Sequence, residues 1–246
     1  MPICKFCTQD TKLVKAHIVP EAFYPVTGDS GQPMMLMTTE RDWAERSHKG
    51  IYDVNLVCSY CEARFANYDQ YAAELLMQGR HGQIISSEPN FTLIDRYSYR
   101  LLKLYFISVL WRASASERPE FRSVSLGPYQ DRARKLIEND DPGRDTEFQT
   151  HLFQFDEGPA RTAFLNPHTE YFDDIRYYRF YMGGYVTLIK VDNRSARSPL
   201  DDNHIQPDKP LAIGRLKFRG SSTHQLLLRM ARSVRTPGWL DPDTRQ

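Results

Sequence analysis

The 246-residue chain has no long hydrophobic run, no strong charge of either sign and, beyond residue 61, no cysteine. Its longest apolar stretch, Leu104 to Trp111, is eight residues broken by Ser108 and fenced by Lys103 and Arg112. A membrane-spanning helix needs about 20 such residues, so no membrane partner is expected. Lys and Arg number 32 against 31 Asp and Glu, a net charge of +1, which excludes a chain that coats nucleic acid by bulk charge alone. The opening residues, MPICKFC, carry no apolar core of the secretory kind, and the expected location is the cytoplasm. There is no internal repeat and no low-complexity tract. Full disorder is excluded as well, because 12% aromatic residues is too many for a chain that buries nothing.

The four cysteines that are present fall into two pairs, Cys4-x2-Cys7 and Cys58-x2-Cys61. A disulfide framework spreads its cysteines and belongs to an oxidising compartment. A redox CxxC follows a strand in a βαβ unit, and no such unit surrounds either pair. Two thiolates separated by two residues reach one ion from a tight turn, and a second pair completes a tetrahedron. The spacing therefore predicts one structural Zn²⁺ held by Cys4, Cys7, Cys58 and Cys61. The 50 residues between the pairs are more than a zinc ribbon needs, so an insertion separates the knuckles.

Patterning predicts short strands ending at Pro20 and over residues 51–57, then a helix from Cys61 with Phe65, Tyr68, Leu75 and Leu76 on one face. The polar stretch 80–90 is the expected joint between a unit of residues 1–85 and a companion of residues 86–246. In the companion, the pattern predicts an apolar helix near Leu93 to Ala113 and another over 128–139. Strands are expected at 148–155, at 177–191 with a break at Gly183-Gly184, and at 211–219, with a last helix over 223–235. The aromatic segment 171–185 is expected to be strand core. The fold class expected is α+β.

The order knuckle, "KAHIVP", "DVNLVCSYCE", helix resembles the zinc-stapled HNH (ββα-metal) endonuclease family over residues 1 to 75. The resemblance implies a treble-clef-like ββα unit that hydrolyses nucleic-acid phosphodiesters. Position by position, His17 matches the general base, Asn55 the middle Asn that orients the site, and Glu62 the metal-ligand position past the second knuckle. Two positions depart from the pattern: Ala16 stands where the family usually has Asp or His, and Glu62 where it often has His. Asp69, two helical turns after Glu62, is the preferred replacement ligand, with Asp53 and Glu21 also near in sequence. A hard Mg²⁺ or Mn²⁺ suits such carboxylates, and an imidazole titrating near neutrality suits a base. Each residue also has a plainer reading: His17 as a packed histidine, Asn55 as a turn cap, Glu62 as a carboxylate favouring the helix dipole, Asp69 as a solvated residue. The stretch "LKLYFISVLWRAS…LGPY" is similar to uncharacterised bacterial proteins with this N-terminal pattern, which implies a whole-chain family of the sort found among bacterial defence nucleases.

Between Leu211 and Pro237 there are six basic residues and no acid: Arg215, Lys217, Arg219, Arg229, Arg232 and Arg235. They are a candidate phosphate-backbone surface, or a solvated face balanced by the acidic loop 200–208. The expectation is a metal-dependent nuclease acting on DNA rather than RNA, with a partner protein as a further candidate for activation or recruitment. The alternative is a non-catalytic zinc module that binds nucleic acid or protein.

Overall fold

A computed structural model describes residues 1–24, 34–36, 45–47, 50–156, 165–196, 200, 203–225 and 228, with the backbone alone at 34–36 and 45–47. The elements in chain order are β1 (Ala16–His17), β2 (Met34–Leu36), β3 (Glu45–Ser47), β4 (Tyr52–Asp53), α1 (Ser59–Leu76), β5 (Gln83–Ser87), β6 (Phe91–Asp95), α2 (Tyr99–Ala115), α3 (Tyr129–Glu138), β7 (Thr150–Phe155), β8 (His168–Phe172), β9 (Ile175–Met182), β10 (Tyr185–Lys190) and β11 (Leu211–Leu216). This is a mixed α+β architecture. β1 pairs antiparallel with β4, and β2 with β3. The remaining strands form one seven-stranded sheet in the order β5-β6-β11-β7-β10-β9-β8, antiparallel except where β11 runs parallel to β7.

The centre of the molecule is α2. Its start is set by Ser98, whose hydroxyl accepts from the Leu101 N–H at 3.3 Å, a side-chain cap for an otherwise unsatisfied donor. An apolar helix buried all round needs neighbours on every side, and α2 has them: α1, α3 and the sheet. Tyr105 reaches Met182 of β9, and Trp111 meets Phe6 of the first knuckle edge-on at 5.0 Å between ring centres. One hydrophobic cluster consequently runs from Cys4 and Phe6 through α1 and α2 to Ile189 and Ile213 on the sheet.

The stretch 80–90, expected as a polar joint, contains β5, so residue 85 falls inside the edge strand of the large sheet. The helix expected from Leu93 begins only at Tyr99, because residues 91–95 pair with β5 and β11 as β6. Arg96 at φ +55° turns the chain between them. The expected break at Gly183-Gly184 is a two-residue hairpin turn with φ +58° and +81°, a left-handed pair that glycine adopts without steric penalty. The Gly183 N–H donates to the Phe23 carbonyl at 2.8 Å, so the turn is held against the N-terminal segment.

Candidate metal centre and the polar cluster beside it

Each knuckle is built by the backbone around it. After Cys4, the Thr8 N–H returns to the Cys4 carbonyl at 2.9 Å, with Thr8 in the left-handed region at φ +61°. The two knuckles are then laid side by side: Lys5 N–H donates to the Leu56 carbonyl, Val14 N–H to the Val57 carbonyl, and Leu13 bridges Cys58. The four sulfur atoms lie within 4.8 Å of one another, with Cys4 Sγ 3.8 Å from Cys61 Sγ and Cys7 Sγ 3.9 Å from Cys58 Sγ. Zn–S bonds of about 2.3 Å at tetrahedral angles require S···S edges of about 3.8 Å. The cluster thus has the dimensions to hold a metal such as zinc. The Cys58 N–H points at Cys4 Sγ from 3.4 Å. Burial raises the pKa of the Cys4 thiol, but N–H donors from Cys7, Cys58 and Phe6 outweigh it and bring the value down to about 7, which favours the thiolate that binds metal. Burial pushes the Cys61 thiol well up.

Over Phe65, one turn of α1 past Cys61, lies a buried guanidinium. Arg112 of α2 has a side chain with no exposed surface, and all five of its N–H groups have acceptors. Nη1 donates to the His17 carbonyl and to Asp69 Oδ2, both at 2.8 Å. Nη2 donates to Asp69 Oδ1 at 2.6 Å and Ser108 Oγ at 3.2 Å, and Nε to the Ser108 carbonyl at 3.3 Å. The Phe65 ring lies 5.1 Å from the guanidinium carbon. Burial opposes the charge on Arg112, but Asp69 and then Glu62 outweigh it and raise its pKa, so the group stays cationic.

Three of the expected site residues therefore meet here. His17, half-buried, sits across the β1–β4 pair from Tyr52, ring centres 6.2 Å apart. Glu62 lies in the first turn of α1, and its Oε2 is buried without a hydrogen-bond partner. Burial raises the pKa of the Glu62 carboxyl, against the pull of Arg112 and of the His17 main-chain N–H. Asp69 is not a solvated helix residue: both of its oxygens are held by Arg112. Asn55 stands apart. It is exposed, and its N–H donates to Asp53 Oδ1 at 2.8 Å. Asp53 is the buried member of that turn, and its other oxygen accepts from Ser116 Oγ at 2.7 Å, just past the end of α2. Among the described residues, the four cysteines are the only group of three or more His, Cys, Asp or Glu close enough to share an ion.

Of the expected basic surface, Arg215, Lys217 and Arg219 are exposed on and after β11. Arg215 Nη2 donates to Ser87 Oγ at 3.0 Å and Thr92 Oγ1 at 3.2 Å. Arg229, Arg232 and Arg235 lie outside the described residues. Sequence reasoning missed Arg112, which it took only as the end of an apolar run. The available signal was Ser108 and Arg112, i and i+4 in an apolar helix, a spacing that places both on one face.

No family model, curated protein or solved structure matches the chain significantly. No described helix is long and apolar enough to cross a membrane.

Proposed function

We propose that the chain is a zinc-stapled nucleic-acid phosphodiesterase of the HNH kind, with Zn²⁺ on the four cysteines as scaffold and His17 as the base. The observation that carries this reading is the convergence of His17, Glu62 and the Asp69–Arg112 pair on the β1–β4–α1 segment beside the cysteine cluster. A four-thiolate zinc has no open position for substrate, so it braces the fold and takes no part in the reaction. His17 accepts the proton of the attacking water, a task an imidazole nitrogen can perform. Arg112 fixes the His17 backbone through its carbonyl and is a positioning residue, since it is too deeply buried to touch substrate.

A hard divalent cation is the second requirement of the reading, and the residues fit it in part. Mg²⁺ takes one or two carboxylates together with substrate phosphate and water, and Glu62, with its unpartnered buried Oε2, offers one. Asp69, fully engaged by Arg112, does not offer a second. When bound, such an ion supplies positive charge to the developing phosphorane. The exposed Arg215, Lys217 and Arg219 are candidate phosphate contacts, DNA being the favoured substrate and anti-phage defence the favoured setting.

The engagement of Asp69, together with buried, ligand-free Ala16, favours a second reading: a zinc module that binds nucleic acid or a protein partner without cleaving. Incubation of plasmid DNA and RNA with Mg²⁺ or Mn²⁺, comparing wild type, His17→Ala and Glu62→Ala, separates the two. The phosphodiesterase reading expects cleavage by wild type that both substitutions abolish. Cleavage that survives His17→Ala sinks the mechanism, and absence of cleavage by wild type on both substrates selects the second reading.

A further inference from the structure

A cleft of about 590 Å³ lies between the start of α3, the turn before β7 and the end of β10. It contains none of His17, Asn55, Glu62 or Asp69, so a role for this cleft is independent of the phosphodiesterase reading. Its walls carry four cationic side chains, Arg132, Arg144, Lys190 and Arg194, against two carboxylates, Glu147 and Asp192. That leaves two positive charges in excess in one cleft, where the whole chain has a net charge of only +1. A second cavity, about 510 Å³, balances Asp95 and Asp208 against Arg96 and Lys209 and has no such excess.

The cations are arranged, not merely numerous. Glu147 takes the Nε and Nη2 edge of Arg132 at 2.5 and 2.8 Å. Asp192 takes the same edge of Arg194 at 2.9 and 2.6 Å. Both guanidinium planes are thereby fixed, and the Nη1 group of each makes no hydrogen bond to another described residue. The Arg144 side chain makes no hydrogen bond or ion pair with another described residue, though its charge acts on Glu147. Lys190, almost wholly buried, donates to the Arg194 carbonyl at 2.7 Å, and that bond ties the floor of the cleft to its rim. Tyr129, the first residue of α3, also stands at the wall of the cleft.

We infer that this cleft is a binding site for a phosphorylated small molecule of nucleotide size, its phosphate held among Arg132, Arg144, Lys190 and Arg194. The volume falls in the range of small-molecule sites, about 300–1,000 Å³. A phosphate monoester carries about −1.5 to −2 at neutral pH, which matches the excess charge of the lining, whereas a carboxylate supplies half of it. Fixed guanidinium planes suit the fork-like recognition of phosphate oxygens, and the Tyr129 ring supplies an apolar wall for a planar organic group.

Calorimetric titration of the full chain with AMP, with inorganic pyrophosphate and with adenosine tests the inference. AMP is expected to bind saturably, pyrophosphate to compete with it, and adenosine, which lacks the phosphate, not to bind. Arg144→Glu and Arg194→Gln are each expected to weaken AMP binding about tenfold or more. Arg144 is exposed, so Arg144→Glu is expected to melt like wild type, which separates lost binding from lost folding. Binding of neither AMP nor pyrophosphate, equal binding of AMP and adenosine, or AMP affinity unchanged in both variants would each overturn it.

Discussion

Replacing Asp69 by Asn removes the counter-charge of a guanidinium whose every N–H is already committed. Arg112 has no exposed side-chain surface and Asp69 has 14%, so water does little to screen the loss. The Asn amide keeps one acceptor but turns an –NH₂ group toward Arg112 where an oxygen accepted at 2.6 to 2.8 Å. Leaving one member of a buried pair without its partner typically destabilises by about 3–5 kcal/mol. For a chain of this size that is a fall in Tm of about 6–20 °C. The partner change, Arg112→Met, removes both charge and donors, and it takes one donor from the His17 carbonyl. The pair of changes together removes both charges of the ion pair, so the double variant should lose only about 1–3 kcal/mol, the penalty of the hydrogen bonds given up. Urea unfolding of wild type, both single variants and the double variant forms a cycle that isolates the coupling. If Asp69→Asn destabilises by less than about 1 kcal/mol, or if the two changes simply add, the network is not what joins α1, α2 and β1, and the reasoning fails.

Three further outcomes are expected. Purified protein should contain about one zinc per chain. Its removal by chelator, or Cys58→Ser, should lower Tm and perturb the near-ultraviolet circular dichroism of Trp111, which rests on Phe6 between the knuckle cysteines; an unchanged spectrum on metal loss would refute the coupling. Burial, with His204 and Lys103 nearby, depresses the pKa of His151 from 6.5 to about 3. The unfolded chain therefore takes this proton first, and stability is lost as pH falls from about 6.5 toward 3, by on the order of 3 kcal/mol between pH 7 and pH 4. His151→Gln should lack that slope, and urea midpoints of the two proteins that keep a constant difference across this range would count against it.

The legible parts of the fold were those with local signals. Turn glycines at 183 and 184 with alternating apolar residues on either side announced the β9–β10 hairpin, and the apolar run of α2 announced a central helix. The β5–β6 pair was not legible. Its residues, QIISS and FTLID, mix apolar and polar side chains half exposed at a sheet edge, so neither helical nor strand periodicity stands out. At the candidate site, His17 and Glu62 were singled out through the resemblance to the HNH pattern, whereas Arg112 was hidden because it lies 95 residues from His17 and 43 from Asp69 along the chain.

The absence of cysteine beyond residue 61 and the spacing of the four before it were enough to predict the four-cysteine cluster. A CxxC turn is local, and the helix that carries the second pair follows directly in sequence. The near-zero net charge determined nothing of the kind, because charge is felt through space and not along the chain. Only the tertiary structure decided that Asp69 belongs to Arg112, and that cations from α3, β10 and their loops line one cleft. Both depend on elements distant in sequence being packed together by one continuous core.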